Sequence, residues 1–136
     1  MKIRPYEVND QEAVIALWQM CGLTREWNDP AKDIAFAVVG PSSTILVGEI
    51  AGEIISSVLV GHDGHRGALY YFSVAPSHQG QGLGRKLHQA AMQWLANKGV
   101  WKINLLVRSE NEKVSGLYES LGYQRQNVLS FGMRID

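Results

Sequence analysis

The run Val74-Ala75-Pro76-Ser77-His78-Gln79-Gly80-Gln81-Gly82-Leu83-Gly84-Arg85-Lys86-Leu87 carries the residue types best suited to chemistry. An apolar, β-branched segment enters it and an amphipathic helical pattern leaves it. The first turn of a helix presents unpaired N–H groups and the positive end of the macrodipole. Glycines let the backbone bend there and let an anion approach without a β-carbon in the way. Such a turn suits a pyrophosphate, and Arg85 and Lys86 add positive charge beside it. A Walker-type loop is excluded, because Gly84 is followed by Arg85-Lys86-Leu87 with no hydroxyl for magnesium. A dinucleotide fingerprint is excluded by the spacing of Gly80, Gly82 and Gly84 in steps of two. The plain alternative is a glycine-rich turn with no ligand.

The elements that must position this turn follow from periodicity. Met1 to Tyr6 reads as a short strand. Asn9 with Glu12 forms a capping-box pattern, and Val14, Leu17, Trp18 and Cys21 recur on one helix face until Gly22. Asn28-Asp29-Pro30 starts a second helix that runs to about Val39. Thr44 to Ile50 and Ile54 to Val60 form a hairpin around Ala51-Gly52. His62 to Gly67 is a polar loop, and Leu69 to Val74 is the strand before the glycine turn. Leu83, Leu87, Ala91, Trp94 and Leu95 share the face of a third helix, closed by Lys98-Gly99. Trp101 to Arg108 alternates as a strand, and Asn111 opens a last helix bearing Val114, Leu117, Tyr118 and Leu121. Tyr123 to Ile135 supplies one or two final strands. The expectation is one α/β (α+β) domain over residues 1–136. Its mixed central sheet should have about six to seven strands, flanked by about four helices.

Composition narrows the function classes. Lys plus Arg and Asp plus Glu number 13 each, so no basic balance points to nucleic acid or to a membrane surface. No apolar run approaches the roughly 20 residues that span a bilayer, and the first ten residues lack a secretory h-region. Cys21 stands alone, and the Cys and His residues are not clustered at zinc spacing, so no metal is expected. A cytoplasmic protein is the default reading.

Two motifs together carry a resemblance. Gln79-x-x-Gly82-x-Gly84 after Val74-x-Pro76 resembles the coenzyme A signature, Q/R-x-x-G-x-G/A, of the GNAT superfamily of N-acetyltransferases. Asn111 to Tyr118, followed by Leu121-Gly122-Tyr123, resembles that family's N-x-x-A-x-x-x-Y-x-x-x-G-[FY] segment, with Val114 where alanine is commonest. The element order agrees across the whole chain. Arg25-x-Trp27-Asn28-Asp29-Pro30 and Asp63-Gly64-His65-Arg66-Gly67 further resemble the YpeA-type bacterial branch.

The resemblance implies acetyl transfer from acetyl-CoA to an amine of a small molecule or protein, by direct attack in a ternary complex. It assigns the pyrophosphate to the backbone of Gln79, Gly80, Gln81, Gly82, Leu83, Gly84 and Arg85. It pairs the backbone of Phe72, Ser73 and Val74 with the pantetheine arm as an added strand, one N–H polarising the thioester carbonyl. Asn111 would hydrogen-bond the pantetheine, or serve as a helix cap, or do both. Tyr118 matches the general acid that protonates the departing thiolate; as a bare residue, without the motif, it reads first as a core aromatic. Many relatives carry a glutamate on the strand before the glycine turn, whereas this strand is Leu69-Tyr70-Tyr71-Phe72-Ser73-Val74. His62, Asp63 and His65 are the candidate substitutes for the base, with an exposed polar turn as the alternative. Arg25 is placed to pair with a substrate carboxylate, Trp27 to pack on the acceptor, and Tyr70 or Tyr71 to face the cleft. Glu26 and Asp29 are candidates for holding an ammonium. Caps, core and solvated surface are the structural alternatives for this region. The missing strand carboxylate also leaves room for a silent acyl-CoA-binding module. The apolar final strands leave room for a homodimer.

Overall fold

Antiparallel pairing of four strands builds the sheet, in the order β1 (Lys2–Pro5), β2 (Ser43–Ile50), β3 (Glu53–His62) and β4 (Gly67–Val74). The β2–β3 hairpin turns on Ala51 and Gly52, both left-handed at φ 51° and 81°, the geometry that a two-residue turn between twisted strands requires. This is a computed structural model, and it describes residues 1–136. They divide into two units, Met1–Asn104 and Leu105–Asp136.

In the first unit, α1 (Gln11–Met20) and α2 (Pro30–Val38) follow β1, and α3 (Leu83–Asn97) follows β4. The start of α2 is as the residues dictate: Asp29 accepts from the N–H groups of Ala31 and Lys32 at 3.0 and 3.4 Å, and Pro30 fills the first turn. The capping box expected at Asn9 and Glu12 is not formed. A short 3-10 turn at Val8–Asp10 comes first, and there the Asp10 carboxylate accepts the Glu7 N–H at 2.7 Å. Val14, Trp18, Ile34, Ala37, Ile45 and Val47 pack α1 and α2 on the sheet, while Leu17, Ile55, Ala75 and Leu83 tie α1 to the start of α3.

Asp10 also receives both terminal nitrogens of Arg4, at 2.7 and 3.0 Å. The Arg4 hydrogen bonds hold its carboxyl below the ordinary carboxylate range, against burial. The stability this brings is complete above the unfolded carboxyl's pKa of about 3.9 and fades as pH falls through the lower folded value. Asp10→Asn is therefore expected to cost about 1–3 kcal/mol at pH 7, and progressively less below pH 4. Urea unfolding at both pH values checks this.

Two expected parts of the sheet are absent. Trp101 to Arg108 forms no strand; it meets the sheet at one parallel bridge, Gly67 with Ile103, made by Gly67 N–H to Lys102 O and Asn104 N–H to Gly67 O. Residue 67 is packed under α3, where a β-carbon would meet Leu95 at 2.7 Å. In the second unit, α4 (Glu112–Ser120) is the sole regular element, and Tyr123 to Ile135 forms no strand. The sheet thus has four strands instead of six to seven. Alternating apolar residues make a segment competent to be a strand, but a ladder also needs a partner edge, which local pattern does not encode.

Candidate functional site

The glycine turn is built at the end of β4. The Val74 carbonyl accepts from Gln79 Nε2 at 2.9 Å and from Cys21 Sγ at 3.5 Å, so the side chain of Gln79 folds back and fixes the start of the turn. Burial pushes the Cys21 thiol up, which keeps it protonated as that donor. Gly80 and Gly82 are left-handed, at φ 79° and 78°, and Gly82 caps α3 with no side chain satisfying the first helical N–H groups. A β-carbon added at either glycine would meet nothing within 4 Å. The space over this helix start is open. Leu83 is buried beneath it, and Arg85 and Lys86 are exposed beside it. Gly84 lies against Phe72 and Val74, so the glycine turn adjoins the end of β4, where Ser73 is buried.

β4 is not regular. Ser57 pairs with Ser73 and Leu59 with Tyr70, so two steps on β3 face three on β4. The extra residue is a bulge, and Tyr71 within it has φ 52°. A left-handed tyrosine costs about 1–2 kcal/mol. Two contacts outweigh that. The Tyr71 ring stacks on the buried Trp18 at 3.8 Å between centroids and 5° between planes, worth about 0.5–1.5 kcal/mol. Its phenol donates to Asp33 Oδ2 at 2.6 Å, and a bond to a charged group is worth about 1.5–3 kcal/mol. Burial first, and then Asp33, push this phenol far above its ordinary pKa, so it stays protonated as the donor. The Trp18 indole N–H is satisfied by Ser57 Oγ at 2.8 Å, which sits 3.2 Å from Ser73 Oγ. A buried polar chain thus pins both sides of the bulge.

The other sequence candidates fall in three places. Arg25 is half-buried before α2, where its Nη1 donates to the carbonyls of Gly22 and Thr24 at 2.9 and 2.8 Å; Trp27 and Tyr70 are exposed. Asp63 and His65 lie in the β3–β4 turn. There the Asp63 carboxylate accepts the N–H groups of His65 and Arg66 at 2.9 and 2.7 Å, which lowers its pKa. The structure does not bring these two together with the glycine turn: they sit at the Gly67 end of β4, and seven strand steps of about 3.3 Å separate that end from Val74. In the second unit, Asn111 Oδ1 accepts the Val114 N–H at 3.3 Å as the cap of α4. Tyr118 is half-buried, edge-on to Tyr123 at 5.5 Å, and burial pushes its phenol up to about 12.

Asp33, and the bulge that carries Tyr71 to it, are what sequence reasoning missed. Alternation along a strand assigns Tyr70 and Tyr71 to opposite faces. The bulge defeats this, since Tyr70 and Ser73 pair opposite Leu59 and Ser57, which share a face. One signal was present: a carboxylate at 33, next to core residue Ile34 and one turn from core residue Ala37, is out of place on a solvated face.

The sequence profile of the Acetyltransferase (GNAT) family matches residues 7–123. An acetyltransferase from Sodalis glossinidius is 43% identical over 136 residues, covering 99% of this chain and 96% of its own. One from Pectobacterium atrosepticum is 42% identical over 135 residues, with the same coverage. Among solved structures, AAC(6')-Iy in complex with the bisubstrate analogue CoA-S-monomethyl-acetylneamine superposes with a TM-score of 0.82 at 18% identity. That match covers 98% of this chain and 97% of the other, and marks a shared fold.

Proposed function

Because this chain belongs to the acetyltransferase (GNAT) family, we propose that it seats the diphosphate of acetyl-CoA on the uncapped start of α3 and passes the acetyl group to an amine. The observation that carries this reading is the turn at residues 79–85: left-handed glycines, helical N–H groups with no side-chain cap, and open space where a β-carbon would stand. In it the backbone from Gln79 to Arg85 holds the diphosphate. Phe72, Ser73 and Val74, on the outermost strand of the sheet, pair with the pantetheine arm, and an N–H beside the bulge polarises the thioester carbonyl. Asn111 contacts the pantetheine and Tyr118 protonates the leaving thiolate. Arg25, Trp27 and Tyr70 line the acceptor side. We treat residues 1–136 as one catalytic domain, a reading supported by relatives that align over nearly all of the chain. Arg25-x-Trp27 and Asp63-Gly64-His65-Arg66-Gly67 support kinship with the YpeA-type branch within the family.

Two measurements test the proposal. Calorimetry should give saturable acetyl-CoA binding. Thiol release, followed over a panel of amino acids, amino-acid amides, polyamines and aminoglycosides, should identify at least one acceptor. Binding with no transfer to any amine would instead favour a module that holds acyl-CoA without turnover. No binding would remove the proposal altogether.

A further inference from the structure

An alkylammonium has a pKa of about 10.4 and must shed a proton before its nitrogen can attack a thioester. No carboxylate lies on β4 to take it. The bulge supplies one from elsewhere. By turning Tyr71 toward α2, it ties strand position 71 to Asp33, with 2.6 Å between phenol and carboxylate. Tyr71 is the sole side-chain partner of Asp33; the phenol occupies Oδ2, and Oδ1 has no hydrogen bond from the protein. The residue is half-buried, so it is neither a solvated surface acid nor a sealed core group.

The charged groups that face the Tyr71 phenol are Asp33 from α2 and Arg25 from the segment before it. α1 presents Trp18, which is uncharged, and no charged group of β3 acts on the phenol. Arg25 and Asp33 form no ion pair with each other; Arg25 Nη1 is held by main-chain carbonyls instead. One carboxylate and one guanidinium, not ion-paired with each other, therefore flank a single phenol, next to the backbone proposed for the thioester. A carboxylate already neutralised by an arginine would have little left to offer an ammonium.

We propose that Asp33, held by Tyr71, docks the acceptor's ammonium on its free oxygen and takes the proton as the amine attacks. The inference rests on the acetyl-transfer reading above and adds the proton acceptor to it. The step balances without another reagent. An N–H bond breaks and an O–H bond forms on Asp33. The freed lone pair forms the new C–N bond, and the C–S bond breaks with its electron pair leaving on the sulfur, to be protonated separately. The acylated nitrogen releases its second proton to water. Arg25, fixed nearby, favours acceptors that carry a carboxylate beside the amine over polycations.

The test uses the full chain, acetyl-CoA and the fastest acceptor from the amine panel. Asp33→Asn should lower kcat/KM about tenfold at pH 7. Its rate should then climb in proportion to hydroxide and close on the wild type as pH approaches the amine's own pKa. Tyr71→Phe should show the same pH slope in weaker form, and Asp33→Glu should restore part of the rate. Unchanged acetyl-CoA affinity in Asp33→Asn, with a melting temperature lowered only by the several degrees that loss of the charged bond to Tyr71 predicts, separates this from misfolding. An Asp33→Asn rate that keeps the wild-type pH profile would overturn the assignment, whether or not KM rises. So would acetyl-CoA binding without transfer to any panel member. Failure of the wild type to bind acetyl-CoA instead sinks the parent reading, and is recognised separately by calorimetry.

Discussion

Gly82→Glu is expected to abolish measurable acetyl-CoA binding. The substitution acts in two ways at one point. Residue 82 holds φ at 78°, a left-handed state that costs a side-chain-bearing residue about 1–2 kcal/mol. The added carboxylate then stands in the open space before the N–H groups of α3, where the diphosphate is proposed to lie. Strain alone cannot remove binding, since 1.4 kcal/mol is about a factor of ten in affinity. A like charge at contact distance from a doubly anionic group does far more. Gly82→Ala separates the two, because its β-carbon meets nothing within 4 Å. It should weaken binding by roughly tenfold or less, while the glutamate variant gives no calorimetric signal with acetyl-CoA at millimolar concentration. Both proteins should melt several degrees below the wild type and close to each other, because the left-handed strain at residue 82 is common to them. Tight binding by the glutamate variant would place the coenzyme elsewhere.

Tyr118→Phe should lower the rate of acetyl transfer about a hundredfold and leave coenzyme affinity within about twofold. The change removes one hydroxyl and keeps the ring, so the edge-on contact with Tyr123 survives. Burial pushes the Tyr118 phenol up to about 12. It is therefore protonated throughout the neutral range and able to donate to a departing thiolate, and no loss of activity below pH 11 should trace to it. The same displacement has a stability consequence. Below the unfolded phenol's pKa of about 10 the contribution is complete, and it falls between there and the folded value as the unfolded chain loses its proton first. The Phe variant should lack that alkaline decline. Stopped-flow thiol release at saturating acetyl-CoA measures the rate, and calorimetry measures the affinity. An unaltered rate would dismiss Tyr118 from the chemistry.

Where the chain's elements announce themselves by local chemistry, the sequence was readable. Asp29-Pro30 starts α2, Ala51-Gly52 turns the hairpin, and Leu83, Leu87, Ala91 and Leu95 form the buried stripe of α3. The glycine turn was legible for the same reason, because an anion site at a helix start is made of backbone and needs only residues that stay out of the way. The remainder depended on distant partners. The capping carboxylate moved from Glu12 to Asp10 because Arg4 fixes Asp10 from β1. The segments at 101–108 and 123–135 alternate correctly, yet they lack a ladder partner beyond Gly67. Asp33 and Tyr71 were hidden because their meeting spans 38 residues and depends on one unpaired step in β4. Nothing in Tyr70-Tyr71-Phe72 reveals which of the three will be that step.

The same unpaired step divides β4 into two stretches that keep separate time. Residues 67–70 are in phase with the β3–β4 tip, and residues 73–74 are in phase with the glycine turn. The stack on Trp18 and the bond to Asp33 lock position 71, so the phase of residues 73–74 is set at the bulge and not at the tip. One strained tyrosine thus works as a fixed stop between the two stretches, holding the anion-binding end to its own pitch.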